Sequence, residues 1–141
     1  MLLLDNSAWS RLLAGKAPRE RSLQIMAMND RAELAVCLPF LLEAGFSARS
    51  AADRSALMRR LERLPSVTID GSVERSALRA QSELTEVGHH RLSPMDILVA
   101  ACAHRAEAGV LHYDRDYDLL LEHTSLRFDS EWLVPAGSLP G

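Results

Sequence analysis

Two apolar runs each close on an acid. Leu2-Leu3-Leu4 ends at Asp5, and Val110-Leu111-His112-Tyr113 ends at Asp114, with Asp116 following within a turn. Glu43 lies in Pro39-Phe40-Leu41-Leu42-Glu43-Ala44-Gly45-Phe46. The positions three before and three after it, which share its face on a helix, are both Phe. Asp96 stands third in Pro94-Met95-Asp96, after Ser93. An unpaired charge on an apolar face costs several kcal/mol, so Glu43 needs a partner. Acids gathered away from lysine suit a hard divalent cation. Mg²⁺ takes oxygen ligands and combines a few carboxylates with water and substrate phosphate.

Each acid also has an ordinary explanation. Asp5 can cap the helix that follows it. Ser93 and Asp96 have the spacing of a capping box, and a charge there favours the helix N-terminus. Asp114 and Asp116 can be solvated turn residues that cap a short helix, and Glu43 can be an exposed side chain. Taken together these explanations weaken, because the acids would repel one another if they met. Arg115 offsets part of that repulsion. The formal net charge is −3, so the chain without these five acids carries +2. An acidic pocket on a mildly basic body fits a metal-dependent enzyme acting on a polyanion.

The elements that must position these acids alternate in type. Strands are predicted over 2–4, 33–37, 67–69 and 110–113, with an edge strand over 126–128. Helices are predicted over 7–14, 19–29, 39–50, 52–64, 72–87, 94–107 and 114–121. Pro39 and Pro94 suit first helical turns, and Gly15, Pro18, Gly88 and Gly109 interrupt or follow helices. Strand–helix alternation implies an α/β domain with a mostly parallel sheet and helices on both faces. In such sheets ligands bind beyond the C-terminal ends of the strands, which is where Asp5 and Asp114 fall. One domain is expected over 1–134, with a flexible Gly/Pro-rich tail over 135–141.

Composition narrows the classes. The chain has 141 residues, 48% hydrophobic and 25% charged, which excludes intrinsic disorder. No apolar run approaches the ~18 residues of a membrane span, so no membrane partner is expected. Met1-Leu2-Leu3-Leu4 meets Asp5 at once and does not read as a signal peptide. Cys37 and Cys102 sit among apolar residues and read as buried thiols of a reducing cytoplasm. The basic residues are 15 Arg and a single Lys, Lys16. Arg91, Arg105, Arg115 and Arg127 are candidate phosphate contacts, though a solvated surface role is the plainer reading of each. His89, His90, His104, His112 and His123 show no zinc-ligand spacing with the cysteines. The pair His89-His90 reads as part of a loop. Trp9, Phe46 and Trp132 read as core or interface residues before base-stacking platforms.

The ordered set Leu-Leu-Leu-Asp5-Asn6-Ser7-Ala8-Trp9, Leu42-Glu43-Ala44, Ser93-Pro94-Met95-Asp96-Ile97-Leu98-Val99-Ala100-Ala101 and Leu111-His112-Tyr113-Asp114-Arg115-Asp116-Tyr117 resembles the PIN-domain nucleases. It looks most like the toxin (VapC-type) component of bacterial VapBC toxin–antitoxin pairs, and the resemblance runs from residue 1 to about 134. It implies a PIN-like three-layer α/β/α sandwich and a Mg²⁺-dependent (or Mn²⁺-dependent) endoribonuclease that leaves 5′-phosphate and 3′-hydroxyl ends. Carried over by position, Asp5, Glu43, Asp96, Asp114 and Asp116 are the catalytic acids, with Asp5, Asp96, Asp114 and Asp116 holding metal. Asn6 departs from the Thr or Ser of many relatives and puts hydroxyl support of a ligand in doubt at that position.

The resemblance also implies partners: an RNA substrate (transfer, ribosomal or messenger), a cognate VapB-type antitoxin and a second copy in a homodimer. The antitoxin groove is expected around helices 7–14, 39–50 and 52–64, and the location is expected to be cytoplasmic. Two other phosphate-handling classes fit less well. A haloacid-dehalogenase-like phosphohydrolase needs a second Asp at position 7, which is Ser. A receiver domain needs a Lys after a late strand, and Lys16 is misplaced. A degenerate PIN domain that only binds RNA or an antitoxin stands as the non-enzymatic alternative.

Overall fold

A computed structural model describes residues 1–89 and 91–140. His90 therefore lies outside the described residues, and the expectation for the His89-His90 pair rests on His89 alone. The elements run β1 (Leu2–Leu4), α1 (Asn6–Leu13), α2 (Arg19–Asp30), β2 (Leu34–Cys37), α3 (Leu38–Phe46), α4 (Ala51–Leu61), β3 (Ser66–Val67), α5 (Gly71–Glu86), α6 (Pro94–Ala106), β4 (Gly109–His112), α7 (Asp116–His123) and β5 (Asp129–Trp132).

The strands form one sheet in the order β3-β2-β1-β4-β5, and every pairing is parallel. The chain builds outward from β1 on one side, then crosses back and builds outward from β4 on the other. The switch point therefore lies between β1 and β4, where Leu2, Leu3 and Leu4 pair with Gly109, Val110 and Leu111. Strand β1 is too short to be held by its own ladder alone. It is held because Leu3 and Leu4 are fully buried between helices, along with Leu34–Cys37 of β2 and Val110 and Leu111 of β4. Gly109 has a packing reason: a Cβ there would stand 2.6 Å from the Leu2 side chain and 2.9 Å from the Asp129 carbonyl oxygen.

Helix α6 is the buried spine of the helical layers. Val99, Ala100, Ala101, Cys102 and Ala103 are all fully buried, and the helix packs against α3, α5, α7 and β4. Its small side chains let α5 approach closely. The two cysteines are free and buried, as expected. No helix among the described residues is long and apolar enough to cross a membrane.

Three expected elements shift. Helix α3 stops at Phe46, four residues early, because Ser50 starts a new helix by accepting from the Asp53 N–H. Leu64 falls beyond α4. The last strand lies at Asp129–Trp132, after the expected 126–128. Residues 124–128 instead wrap the end of α7, where the Arg127 guanidinium donates to the carbonyls of Leu121, Thr124 and Leu126. Leu126 is thus a core residue carried by a loop. Beyond the sheet, the Leu139 N–H donates to the Tyr113 hydroxyl at 3.0 Å.

Candidate metal centre

The parallel register brings the ends of β1 and β4 side by side, and the Asp5 N–H extends the ladder by donating to the Leu111 carbonyl at 3.0 Å. Asp5 and Asp114 thus flank the switch point. Asp5 is 3% exposed and caps α1: its Oδ2 accepts from the Ser7 N–H at 3.0 Å and from the Ser7 hydroxyl. Ser7 Oγ in turn accepts from the Tyr113 N–H at 2.8 Å. One serine therefore locks the turn after β1 to the end of β4. The hydroxyl role left in doubt at Asn6 is carried by its neighbour, while Asn6 lines a cleft of about 340 Å³ with Leu42, Glu43, Phe46, Ser47 and Met95.

Asp96 reaches the same place from the first turn of α6. The Ser93 side chain makes no capping hydrogen bond, so the expected capping box does not form. Asp96 is 8% exposed, and Asp96, Asp114 and Asp116 each offer an oxygen within 4.8 Å of the other two. Asp114 is itself shaped by a turn, its Oδ1 accepting from the Asp116 N–H at 2.9 Å. Asp5 adjoins this trio through Tyr117. The Tyr117 hydroxyl donates to Asp5 Oδ1 at 2.6 Å and stands 3.4 Å from Asp96 Oδ1. Asp5 Oδ1 and Asp114 Oδ1 each accept one hydrogen bond within the chain, and a carboxylate oxygen so engaged keeps a lone pair for a cation.

Glu43 is half-buried, and its Oε1 is buried with no hydrogen-bond partner among the described residues. Its two Phe neighbours on the helix part company. Phe40 is in the core, but Phe46 is 91% exposed, because α3 ends there and turns its last apolar residue outward.

The electrostatics follow from crowding acids away from water. Burial, together with Asp5, Asp114, Glu43 and Asp116, pushes the Asp96 carboxyl up to about 8. Burial and Asp114 raise Asp116, with Arg115 opposing, and burial and Asp5 raise Glu43. Burial, then Asp5 and Asp96, holds the Tyr117 hydroxyl protonated well above its usual range. A divalent cation would relieve this repulsion. The donor set fits one: three carboxylates at close range, an orphaned carboxylate oxygen nearby, and oxygen donors throughout.

Three residues that sequence reasoning passed over prove central: Ser7, Tyr117 and His112. His112 is fully buried between Tyr117 and Trp132, and burial lowers its pKa, with Asp118, Asp5 and Asp114 opposing. The pattern that could have flagged Tyr117 is an aromatic hydroxyl one residue after Asp116, in a helix that starts at the acids.

The candidate arginines divide. Arg127 is consumed by the carbonyls around α7, and Arg105 pairs with Asp70 at 3.4 Å. Arg91 and Arg115 are exposed, and Arg115 is the N-cap residue of α7 beside the acids. Trp9 and Trp132 are packing residues. Trp9 meets Phe40 edge-on, and Trp132 Nε1 donates to Asp118 at 2.9 Å.

An apolar groove of about 300 Å³ lies elsewhere, lined chiefly by Trp9, Leu12, Leu13, Ile25, Met26 and Leu64, with Arg60 and Arg63 at its rim. It is built by α1, α2 and α4. The expected helix over 39–50 does not line it, because α3 sends Phe40 into the core and turns Leu38, Leu42 and Phe46 to another face.

The model of the PIN domain family matches residues 2–120. Ribonuclease VapC18 of Mycobacterium tuberculosis is 32% identical over 139 residues, covering 96% of this chain and 97% of that protein. Ribonuclease VapC21 of the same species is 36% identical over 138 residues, covering 96% of each. Among solved structures, DNA-bound VapBC from Salmonella typhimurium matches with a TM-score of 0.72 at 18% identity, covering 95% of this chain and all of that one (100%). VapBC2 from Rickettsia felis, bound to a promoter DNA fragment, matches at 0.70 and 15% identity, covering 92% and 97%. These two share the fold. With its sheet order, its strand-end acids and relatives aligned almost end to end, the chain belongs to the PIN-domain family.

Proposed function

We propose that this protein is a divalent-cation-dependent endoribonuclease and the toxin of a toxin–antitoxin pair, working in the cytoplasm with residues 1–134 as its catalytic body. The observation that carries the reading is the meeting of Asp96, Asp114 and Asp116 beside Asp5, in a chain whose full-length relatives are named VapC ribonucleases. Asp96, Asp114 and Asp116 would hold the cation, Mg²⁺ or Mn²⁺, with Asp5 beside them in the acidic wall. When bound, the cation supplies positive charge that stabilises phosphate oxygens and makes a nearby water more acidic.

The chain's own residues do the rest. Ser7 and Tyr117 hold Asp5 in one orientation, so the wall does not reorganise as charge develops. Glu43, with a free buried oxygen at the cleft, orients the attacking water and accepts its proton. Water adds to phosphorus as the bond to the 3′ oxygen breaks, and that oxygen takes up a proton from solvent. The products are a 5′-phosphate and a 3′-hydroxyl. Arg115, exposed beside the acids, is placed to meet an RNA phosphate.

The groove of α1, α2 and α4 takes an amphipathic antitoxin segment, its apolar floor matching a helix face and Arg60 and Arg63 matching acids. The exposed stripe Leu38, Leu42 and Phe46 on α3 suits a second copy of the chain.

Induced expression of wild type and Asp96→Asn, with sequencing of cellular RNA 5′ ends, tests the nuclease. Asn keeps the side-chain shape at the head of α6 and removes the charge. New 5′-monophosphate ends in the wild type alone are expected, and they name the target RNA. Identical patterns from both would overturn the reading and leave a binding module.

A further inference from the structure

We infer that His112 is a positioning residue for the acidic turn. Its ring, fixed as the Nε2–H tautomer by Ser130 and Asp118, accepts the Asp114 N–H and so aims the Asp114–Asp116 carboxylates. The inference rests on reading those two aspartates as cation ligands.

The tautomer follows from bonding alone. The Asp114 N–H lies 3.1 Å from His112 Nδ1. A backbone N–H can only donate, so Nδ1 carries a lone pair and the ring hydrogen is on Nε2. The other end agrees independently. His112 Nε2 is 2.7 Å from Ser130 Oγ, and Ser130 Oγ is bonded to Asp118 Oδ1. A carboxylate accepts only, so the single serine hydrogen goes to Asp118 and Oγ accepts from Nε2. Asp118 is held in turn by the Trp132 indole N–H at 2.9 Å. Every hydrogen in the chain Trp132/Ser130–Asp118, His112–Ser130, Asp114–His112 then has one direction.

The geometry explains why such a chain is useful. Asp114 leaves β4 at a turn, where its backbone N–H has no ladder partner among the described residues. The imidazole supplies that partner from within the core. The ring itself cannot drift, because it is fully buried between Tyr117 and Trp132, with ring centroids 4.8 and 4.9 Å away. Side chains from β4, α7 and β5 thus fix one peptide plane, and that plane sets where two acids point. Preorganised ligands of this kind need no ordering when a cation arrives.

The test uses the full chain, with Mn²⁺ alone as the probe. Long-range ¹⁵N NMR of the histidine-labelled protein should show His112 as a pure Nε2–H tautomer. By titration calorimetry, Ser130→Ala should bind Mn²⁺ about 3-fold more weakly and His112→Phe about 10-fold more weakly, the scale of one or two lost hydrogen bonds. His112→Asn, whose amide oxygen can accept the Asp114 N–H, should recover most of the loss, which a volume effect would not. Ser130→Ala removes only a hydroxyl from the edge strand and keeps the test alive if the buried substitutions do not fold. A mixed or Nδ1–H tautomer, or wild-type Mn²⁺ affinity in folded Ser130→Ala, overturns the role of His112. A wild-type protein that binds no Mn²⁺ while His112 is a pure Nε2–H tautomer overturns the cation reading instead.

Discussion

The strand-end pocket and the apolar groove are both unfinished surfaces, but they are unfinished in opposite ways. In the pocket, acids are buried near one another; Ser7 and Tyr117 donate to Asp5, and His112 accepts the Asp114 N–H. Its stored free energy is electrostatic, and a cation releases it. In the groove, Leu13 and Met26 stand more than half exposed above a floor of Ile25 and Trp9, with Arg60 lying over the Trp9 ring at 5.7 Å. Its stored free energy is unburied apolar area, which a partner segment would release. The pocket needs rigid geometry, since ligand directions decide affinity. The groove needs only shape and greasiness, which loosely packed side chains provide.

The charges of the pocket carry the largest expected effect. Asp96→Asn should lower cleavage of a labelled RNA oligonucleotide by at least about 100-fold, the loss typical of a group that stabilises developing charge. It should leave antitoxin binding intact. Leu13→Glu should do the reverse: cleavage persists, while antitoxin affinity in a pull-down titration falls by about 10–100-fold, as for loss of a buried apolar anchor. Equal loss of both functions in either variant would mean that the two surfaces are one.

Tyr117→Phe sharpens the pocket's side. It removes the one hydroxyl shared near Asp5 and Asp96 without changing packing. Cleavage should fall by about 5–10-fold, the scale of one charge-assisted hydrogen bond, and the melting temperature should fall by about 2–8 °C because Asp5 loses a buried partner.

The smallest effect is a pH dependence that only the pocket should show. Folded Asp96 holds its proton up to about 8, whereas an unfolded Asp loses it near ~3.9. Between those values the folded state binds more protons, so the metal-free protein loses stability as pH rises through the window. Thermal melts with chelator should show a melting temperature falling by a few degrees from about pH 5 to about pH 9. Saturating Mn²⁺ or Asp96→Asn should flatten the slope, and Leu13→Glu should leave it unchanged. A flat profile in chelator would mean that the acids are not crowded.

Much of the pocket is legible in the chain because its acids sit at punctuation marks. Asp5 and Asp114 end apolar runs, and in a parallel sheet the ends of neighbouring strands share an edge. The groove is less legible, since the apolar residues of a groove and of a core look alike in sequence. That ambiguity misassigned α3, whose Phe40 is buried while Phe46 faces out. Ser93-Pro94-Met95-Asp96 misleads in the other direction. It has capping-box spacing, but burial among other acids gives Asp96 a different neighbourhood.

The alternation of strands and helices, the apolar strand cores, and four acids at strand ends and helix starts, with Glu43 inside a helix, are all written in the chain. Those are local properties, readable from period and spacing. Which oxygens converge and which side chains hold them come from packing across the sheet. Asp118, Ser130 and His112 come together because β5 pairs with β4 in parallel, setting His112 opposite Trp132. No local pattern encodes a hydrogen bond between residues 18 positions apart. Register does, and register is chosen by the packing of the whole sheet.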